Sequence, residues 1–446
     1  MRKIERRAFI CLLIAFVLFS GLLVFMYRFV RYGGEWATFY GNQSIYSGDA
    51  LASGTIFDRN GEELARNADG TTYYSDDYYV RLGTVHAVGD SRGNVATAAL
   101  SNYREKLIGY NLVTGTYKLQ GKNPDITLTI DSDASRVAAE YLSYYDGGAV
   151  GVYNYKTGEV LCMASGPSYD PTDIPELEPD DTSGIFINRL LTANMTPGSI
   201  FKTVTAAAAI ENMDYRNFHY ICEGELEIGD DKVTCQEVHG EVNFETALTK
   251  SCNVAYAVMA QELGAETLLR YTEKAGLTSI YDMDGIKNIA GEFEFPSDNK
   301  LLLSWAAIGQ HNDELNPLSM MVYMGAIANG GKAAMPRMLS RSFLDQIPIT
   351  VSMTDELITP ETSYILKEMM LNNVRNSYGE GNFPGLNMGA KTGTAEVMDR
   401  EPNAVFAGFL DDKDHPYAFI VYVENAGNGI VHAAPIANAV LQTLMD

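Results

Sequence analysis

Hydrophobic positions are spread unevenly along this chain, and the longest apolar run comes first. From Ala8 to Tyr27 no residue is charged. Twenty helical residues rise about 30 Å, enough to cross a bilayer core, so residues 8–27 read as a transmembrane helix behind a short tail, residues 1–7. Residues 28–146 break into short segments rich in Tyr, Gly, Asn and Asp and read as a small pedestal domain. Within it Thr55-Ile56-Phe57 forms a strand entering the turn Asp58-Arg59-Asn60-Gly61, and Asp125–Ile130 forms another. A helix from Ser132 to Tyr144 leads onward. From residue 147 to 446 a second domain opens with apolar runs at 149–153 and 160–164 around a Lys156-Thr157-Gly158 turn, which is a hairpin pattern. The stretch from Ser199 to Met370 is mostly of helical period, with helices expected at 201–211, 253–263, 267–275 and 317–328, the last broken by Gly330-Gly331. Strands return at 388–397, 404–410 and 417–423, and an amphipathic helix over 433–445 closes the chain. Two early strands, a helical insertion, three late strands and a final helix predict an α/β (α+β) domain built on one antiparallel five-stranded sheet flanked by helices.

Charge refines the picture at both ends of the first helix. Arg2, Lys3, Arg6 and Arg7 precede the apolar run and only Arg28 and Arg31 follow closely, which orients the tail to the cytoplasm and the remainder outside. A cleaved signal peptide fits less well, because the run is too long and Tyr27-Arg28-Phe29-Val30-Arg31 offers no small-residue cleavage site. A net charge of −24 argues against nucleic acid or an anionic membrane surface as a partner of the main body. The five cysteines have no paired zinc-type spacing and the six histidines are scattered, so neither metal nor cofactor is expected. Cys222 and Cys235, in the extracellular part, are compatible with a disulfide closing a hairpin-like loop and equally with two buried thiols. Cys252 reads as a packing residue.

Candidate chemistry centres on Thr196-Pro197-Gly198-Ser199-Ile200-Phe201-Lys202. Proline favours a helix start and an alanine-rich run follows, so Ser199 and Lys202, at i and i+3, should share a face. A neutral lysine there can take the serine proton, and the helix N-terminus favours negative charge nearby. Alone the pair is a chance-level match, as Ser297-Asp298-Asn299-Lys300 demonstrates. Downstream, Ser251-Cys252-Asn253 falls between two helices, where short polar side chains can face a cleft. Lys391-Thr392-Gly393-Thr394 lies on a predicted strand, where the glycine would let a substrate backbone come close and the lysine supplies charge. Lys156-Thr157-Gly158 and Ser297-Asp298-Asn299 imitate the last two patterns, but the first precedes Ser199, lacks the following threonine and reads as a hairpin turn, and the second follows Pro296 in a surface-like stretch out of register.

The ordered set Ser-x-x-Lys, Ser-x-Asn, Lys-Thr-Gly resembles that of penicillin-binding proteins and serine β-lactamases. Segments 53–61, 128–131 and 164–171, Ile308-Gly309-Gln310 and Asn316-Pro317-Leu318 look like class B penicillin-binding proteins, the monofunctional peptidoglycan D,D-transpeptidases. The resemblance implies a penicillin-binding transpeptidase fold in which Ser199 attacks the D-Ala-D-Ala carbonyl of a stem peptide, Lys202 acts as base and Ser251 relays the proton. It implies that Asn253 orients the peptide, that Lys391 faces the substrate carboxylate, and that Thr392, Gly393 and Thr394 bind substrate, with Ser199 and Thr394 N–H groups as oxyanion hole. It also implies acylation by β-lactams and a membrane glycan polymerase as partner. Ser53, His311 and Val405 depart from the pattern, which bears on pedestal contacts and pocket shape. D,D-carboxypeptidase activity, a β-lactam-binding or hydrolysing relative, and a non-enzymatic scaffold of the wall machinery are the competing readings.

Overall fold

The uncharged run lies inside helix α1 (Arg2–Ala37), long and apolar enough to cross a membrane, and its most apolar window is buried against nothing else in the protein. The structure is a computed structural model that describes residues 2–37, 54–68, 71–108, 125–341, 351–396 and 400–445. Strands β1 (Thr55–Phe57), β2 (Glu63–Ala68) and β3 (Thr71–Tyr74) form a small sheet with β4 (Ile126–Thr127), in the order β3-β2-β1-β4. The expected strand over 125–130 is thus shorter, because Leu128 leaves to bridge Leu339 and Thr129 N–H donates to Met338. Helix α2 (Tyr78–Val88) is capped by Asp77, whose side chain accepts from Val80 N–H.

Helix α3 (Ser132–Leu142) starts at Asp131, which accepts from Ala134 N–H, and packs on the hairpin strand β6 (Val160–Gly166), partner of β5 (Gly148–Asn154). Helix α4 (Lys202–Asn212) follows the motif serine. The sequence pattern over 219–243 does not announce what comes next: four short strands, β7 (His219–Cys222), β8 (Glu225–Ile228), β9 (Asp231–Thr234) and β10 (Gly240–Asn243), paired as β10-β7 and β8-β9. They form a half-exposed flap, in which β8 alternates exposed Glu225 and Glu227 with half-buried Leu226 and Ile228. Helix α5 (Asn253–Leu263) and helix α6 (Pro317–Ala328) fall where expected.

Strands β11 (Met388–Ala395), β12 (Asn403–Leu410) and β13 (Tyr417–Val423) complete the main sheet, antiparallel in the order β11-β12-β13-β5-β6. The closing helix α7 (Gly429–Thr443) begins four residues earlier than its pattern suggested, where Asn428 accepts from Ile430 N–H. Four of its strands are buried on both faces and read as nearly continuous apolar runs, whereas the edge strand β11 carries Lys391, Thr392 and Thr394 and is half-buried at the two threonines. Alternate residues of β12 divide between two cores: Val405, Ala407 and Phe409 pack in the cluster that holds α4, α5 and α6, whereas Ala404, Phe406 and Leu410 pack with α3 and α7.

The N-terminal sheet is tied to this domain by polar contacts as well as by the shared core. Buried Asp58 accepts from Asn60 and Glu62 N–H through one oxygen and from Ser132 N–H and hydroxyl through the other. Arg81 of α2 grips Asp170 bidentately, Nε to Oδ1 at 2.9 Å and Nη2 to Oδ2 at 2.7 Å.

Candidate active site

Ser199 sits in a tight 3-10 turn, Gly198–Phe201, that runs into α4. The sequence pattern suggested a helix beginning at the serine; the tighter turn brings i and i+3 into eclipse, so Ser199 and Lys202 lie one above the other. Two close backbone approaches hold the turn. Gly198 adopts φ +58 and a Cβ there would stand 3.0 Å from Thr394 O, while a Cβ on Gly309 would stand 2.2 Å from Gly198 O. Gly198 N–H donates to Gly309 O at 2.8 Å.

Lys202 is fully buried beneath a cleft of about 670 Å³ that Ser199, Ser251 and Asn253 line. Its Nζ donates to Ser251 O at 2.7 Å, Ser251 Oγ at 3.0 Å and Asn253 Oδ1 at 2.6 Å. Three acceptors saturate an ammonium, so this arrangement is that of the protonated lysine. No hydrogen bond links it to Ser199 Oγ among the described residues. Burial pulls Lys202 down to about 7, against the upward influence of the Cys235 and Cys252 thiols. Lys391 is equally buried; its Nζ donates to Ser251 Oγ at 3.1 Å and to Thr392 O at 3.0 Å. Burial first, and then the charge of Lys202, hold Lys391 well below the usual lysine range. Two ammoniums sharing one hydroxyl in a dry site favour the loss of one proton from the pair.

Ser251 itself occupies a strained position, φ +52, at the turn before α5. With both lone pairs of its Oγ taken by lysines, its own O–H is left to point elsewhere, toward the cleft it lines. Asn253 Nδ2 donates to Thr234 O at 2.8 Å, linking this motif to the flap.

β11 is the edge strand of the main sheet, and its alternation sorts the third motif. Lys391 and Gly393 face inward; Thr392 and Thr394 line the cleft. Thr392 N–H donates to Tyr378 OH at 3.1 Å, and Gln310 Nε2 donates to Thr394 O at 3.4 Å. Both groups therefore point away from β12. In a regular antiparallel pair the N–H of Thr394, two residues on, points the same way and opens toward the cleft. Gly393 has a structural use. A Cβ there would meet Pro197 O at 3.0 Å and Ile200 Cγ2 at 3.3 Å, so its missing side chain lets the strand pack against the serine turn.

Tyr378 and Gln310 were not among the residues the sequence singled out. Tyr378 also shares a hydrogen bond with Thr392 Oγ1 at 3.2 Å. Its position after a helix of unremarkable pattern gave no signal, whereas Gln310 lay within a quoted segment. The decoys behave as turns: Lys156–Gly158 joins β5 to β6, and Asn299 caps a short helix by accepting from Leu301 and Leu302 N–H. Cys222 and Cys235 approach to 3.7 Å as free thiols, and Cys252, packed in the core as expected, lies 3.8 Å from Cys235.

Residues 148–442 match the family model described as the penicillin binding protein transpeptidase domain. Among curated relatives, a peptidoglycan D,D-transpeptidase PbpA of Mycolicibacterium smegmatis is 25% identical over 379 residues, covering 77% of each chain. Stage V sporulation protein D of Bacillus subtilis is 25% identical over 403 residues, covering 84% of this chain and 58% of that one. Among solved structures, penicillin-binding protein A from M. tuberculosis as an imipenem acyl-enzyme complex superposes with a TM-score of 0.75 at 23% identity, covering 91% of this chain and all of that one.

Proposed function

The chain belongs to the penicillin-binding protein transpeptidase family, and from that premise we propose that Ser199 is the nucleophile of a peptidoglycan D,D-transpeptidase that cross-links stem peptides and is acylated by β-lactams. The observation that carries the assignment is the buried pair Lys202 and Lys391 on the two sides of Ser251 Oγ, below the cleft that Ser199 lines.

Lys202, as the neutral amine, takes the Ser199 proton while Oγ attacks the penultimate D-alanine carbonyl. The oxyanion is received by the N–H groups of Ser199 and Thr394; each such donor is worth about 3 to 4 kcal/mol of transition-state stabilisation. Collapse expels D-alanine, whose nitrogen takes a proton through the Ser251 hydroxyl. The acceptor amine of a neighbouring stem peptide then attacks the ester carbonyl and gives its proton to neutral Lys202, which passes that proton to Ser199 Oγ as the C–O bond breaks, restoring the free serine and the neutral amine. Asn253 and Thr392 hold the peptide, and the cation remaining on the lysine pair favours the substrate carboxylate. Ser199→Ala should abolish covalent labelling of the chain by a fluorescent penicillin; labelling that persists discards the assignment.

We further read α1 as a single-pass anchor with residues 1–7 in the cytoplasm, the segment 28–146 as a pedestal and a membrane glycan polymerase as the supplier of glycan. The basic residues before the apolar run support that orientation. In membrane vesicles of outside-out orientation, added protease should degrade the catalytic domain; protection there would reverse the orientation.

A further inference from the structure

The four strands of the flap and the turn of the second motif bring together four side chains spread over residues 222–252. Cys222 ends β7, Cys235 follows β9, His239 precedes β10 and Cys252 stands between Ser251 and Asn253; one ligand atom from each lies within 4.8 Å of all the others. Cys222 Sγ is 3.7 Å from Cys235 Sγ and 3.5 Å from His239 Nδ1, and Cys235 Sγ is 3.8 Å from Cys252 Sγ. A tetrahedral zinc ion with Zn–S of about 2.3 Å and Zn–N of about 2.0 to 2.1 Å has edges of about 3.8 Å between sulfurs and about 3.5 Å from sulfur to nitrogen. The three measured edges agree with those values. A disulfide would need about 2.05 Å between two sulfurs and would give the third thiol and the imidazole no reason to converge.

We propose that Cys222, Cys235, His239 and Cys252 bind one Zn²⁺ in a closed Cys₃His site that fastens the flap to the second motif. The surroundings suit thiolates. Cys222 and Cys252 are fully buried, and Val254 and Ala255 N–H groups, at the N-terminus of the eleven-residue α5, donate to Cys235 Sγ and Cys252 Sγ at 3.4 Å each. Binding releases the three thiol protons to solvent and leaves the site with one net negative charge. Four protein ligands fill the tetrahedron, so the ion is structural, with no position open for water or substrate. Its consequence is local: Ser251, held at φ +52, is the neighbour of a metal ligand, and the Asn253 bond to Thr234 O closes the same junction.

The site is tested on the full chain purified in detergent without chelator, by elemental analysis for bound zinc. One zinc per chain is expected, lost in Cys222→Ser, Cys235→Ser and Cys252→Ser, and retained in Cys162→Ala, whose thiol is buried in the core away from the cluster. Cobalt exchanged into the wild-type chain should give the intense visible bands of a tetrahedral thiolate complex, a readout that depends on no variant folding. A reduced wild-type chain that neither carries nor takes up zinc, or a non-reduced chain with Cys222 and Cys235 disulfide-linked, overturns the proposal. Metal content is read without penicillin labelling, so this inference and the assignment of Ser199 fail separately.

Discussion

At the scale of single residues, the site depends on how many protons two buried lysines share. In its three-acceptor arrangement Lys202 has every proton of the ammonium committed to Ser251 and Asn253, so in the proposed role of base it would be spent. It becomes useful only on losing one, and burial brings that loss to about 7. The sign follows directly: the active form is the neutral amine, so acylation should be slow in acid and rise with pH. Below about pH 7 the second-order rate of penicillin acylation should fall about tenfold per pH unit and level off above it. Stopped-flow acylation across pH 5 to 9 checks this, and a flat profile would remove Lys202 from the role of base. Thr392 depends in turn on Tyr378, which takes its N–H and shares its hydroxyl, so the outer edge of β11 is positioned by a residue beyond the three motifs.

At the scale of elements, the catalytic turn is held where backbones touch. Gly309 adopts φ +78, and any side chain there would drive into Gly198 O and Phe201 Cβ. Gly309→Ala should therefore cost about 1 to 3 kcal/mol of stability from backbone strain, and displacement of the Ser199 turn should slow acylation about a hundredfold. Thermal unfolding and acylation kinetics on the same sample separate the two effects; unchanged acylation would show the turn to be held otherwise. The strands of the main sheet were legible from the sequence chiefly because double-sided burial makes apolar runs, and the three motifs because of their order and their resemblance to a known family, since Ser199 and Lys202 alone match at chance level. The flap was not, since its strands are only four residues each: β8 alternates Glu225 and Glu227 with Leu226 and Ile228 over too short a run to stand out, and β9 has a single apolar position, Val233. The thiol cluster was hidden for a related reason: only Cys235 and His239 stand at a metal-ligand spacing, and Cys222 and Cys252, thirteen positions to either side, are brought to them by strand pairing and the turn before α5.

At the scale of the whole molecule, the question is what makes the N-terminal sheet and the catalytic domain one body. Asp170 lies in the segment after β6, and its bidentate partner Arg81 lies on α2, 89 residues earlier. The hydrogen bonds from Arg81 come first among the causes that hold the Asp170 carboxyl down to about 2, with Thr172 adding to them against the cost of burial. A carboxylate whose pKa is depressed on folding stabilises the fold above its unfolded value near 4, and that contribution disappears as pH drops from about 4 toward 2. Asp170→Asn should then unfold at a lower temperature than the wild type at pH 7, with the gap narrowing as the medium is acidified through that window. Differential scanning calorimetry of both proteins across about pH 2 to 7 reads the gap. A difference that stays constant over the range would mean that the two parts are joined by the shared apolar core and the Asp58 contacts, with the Arg81–Asp170 pair contributing nothing to the junction.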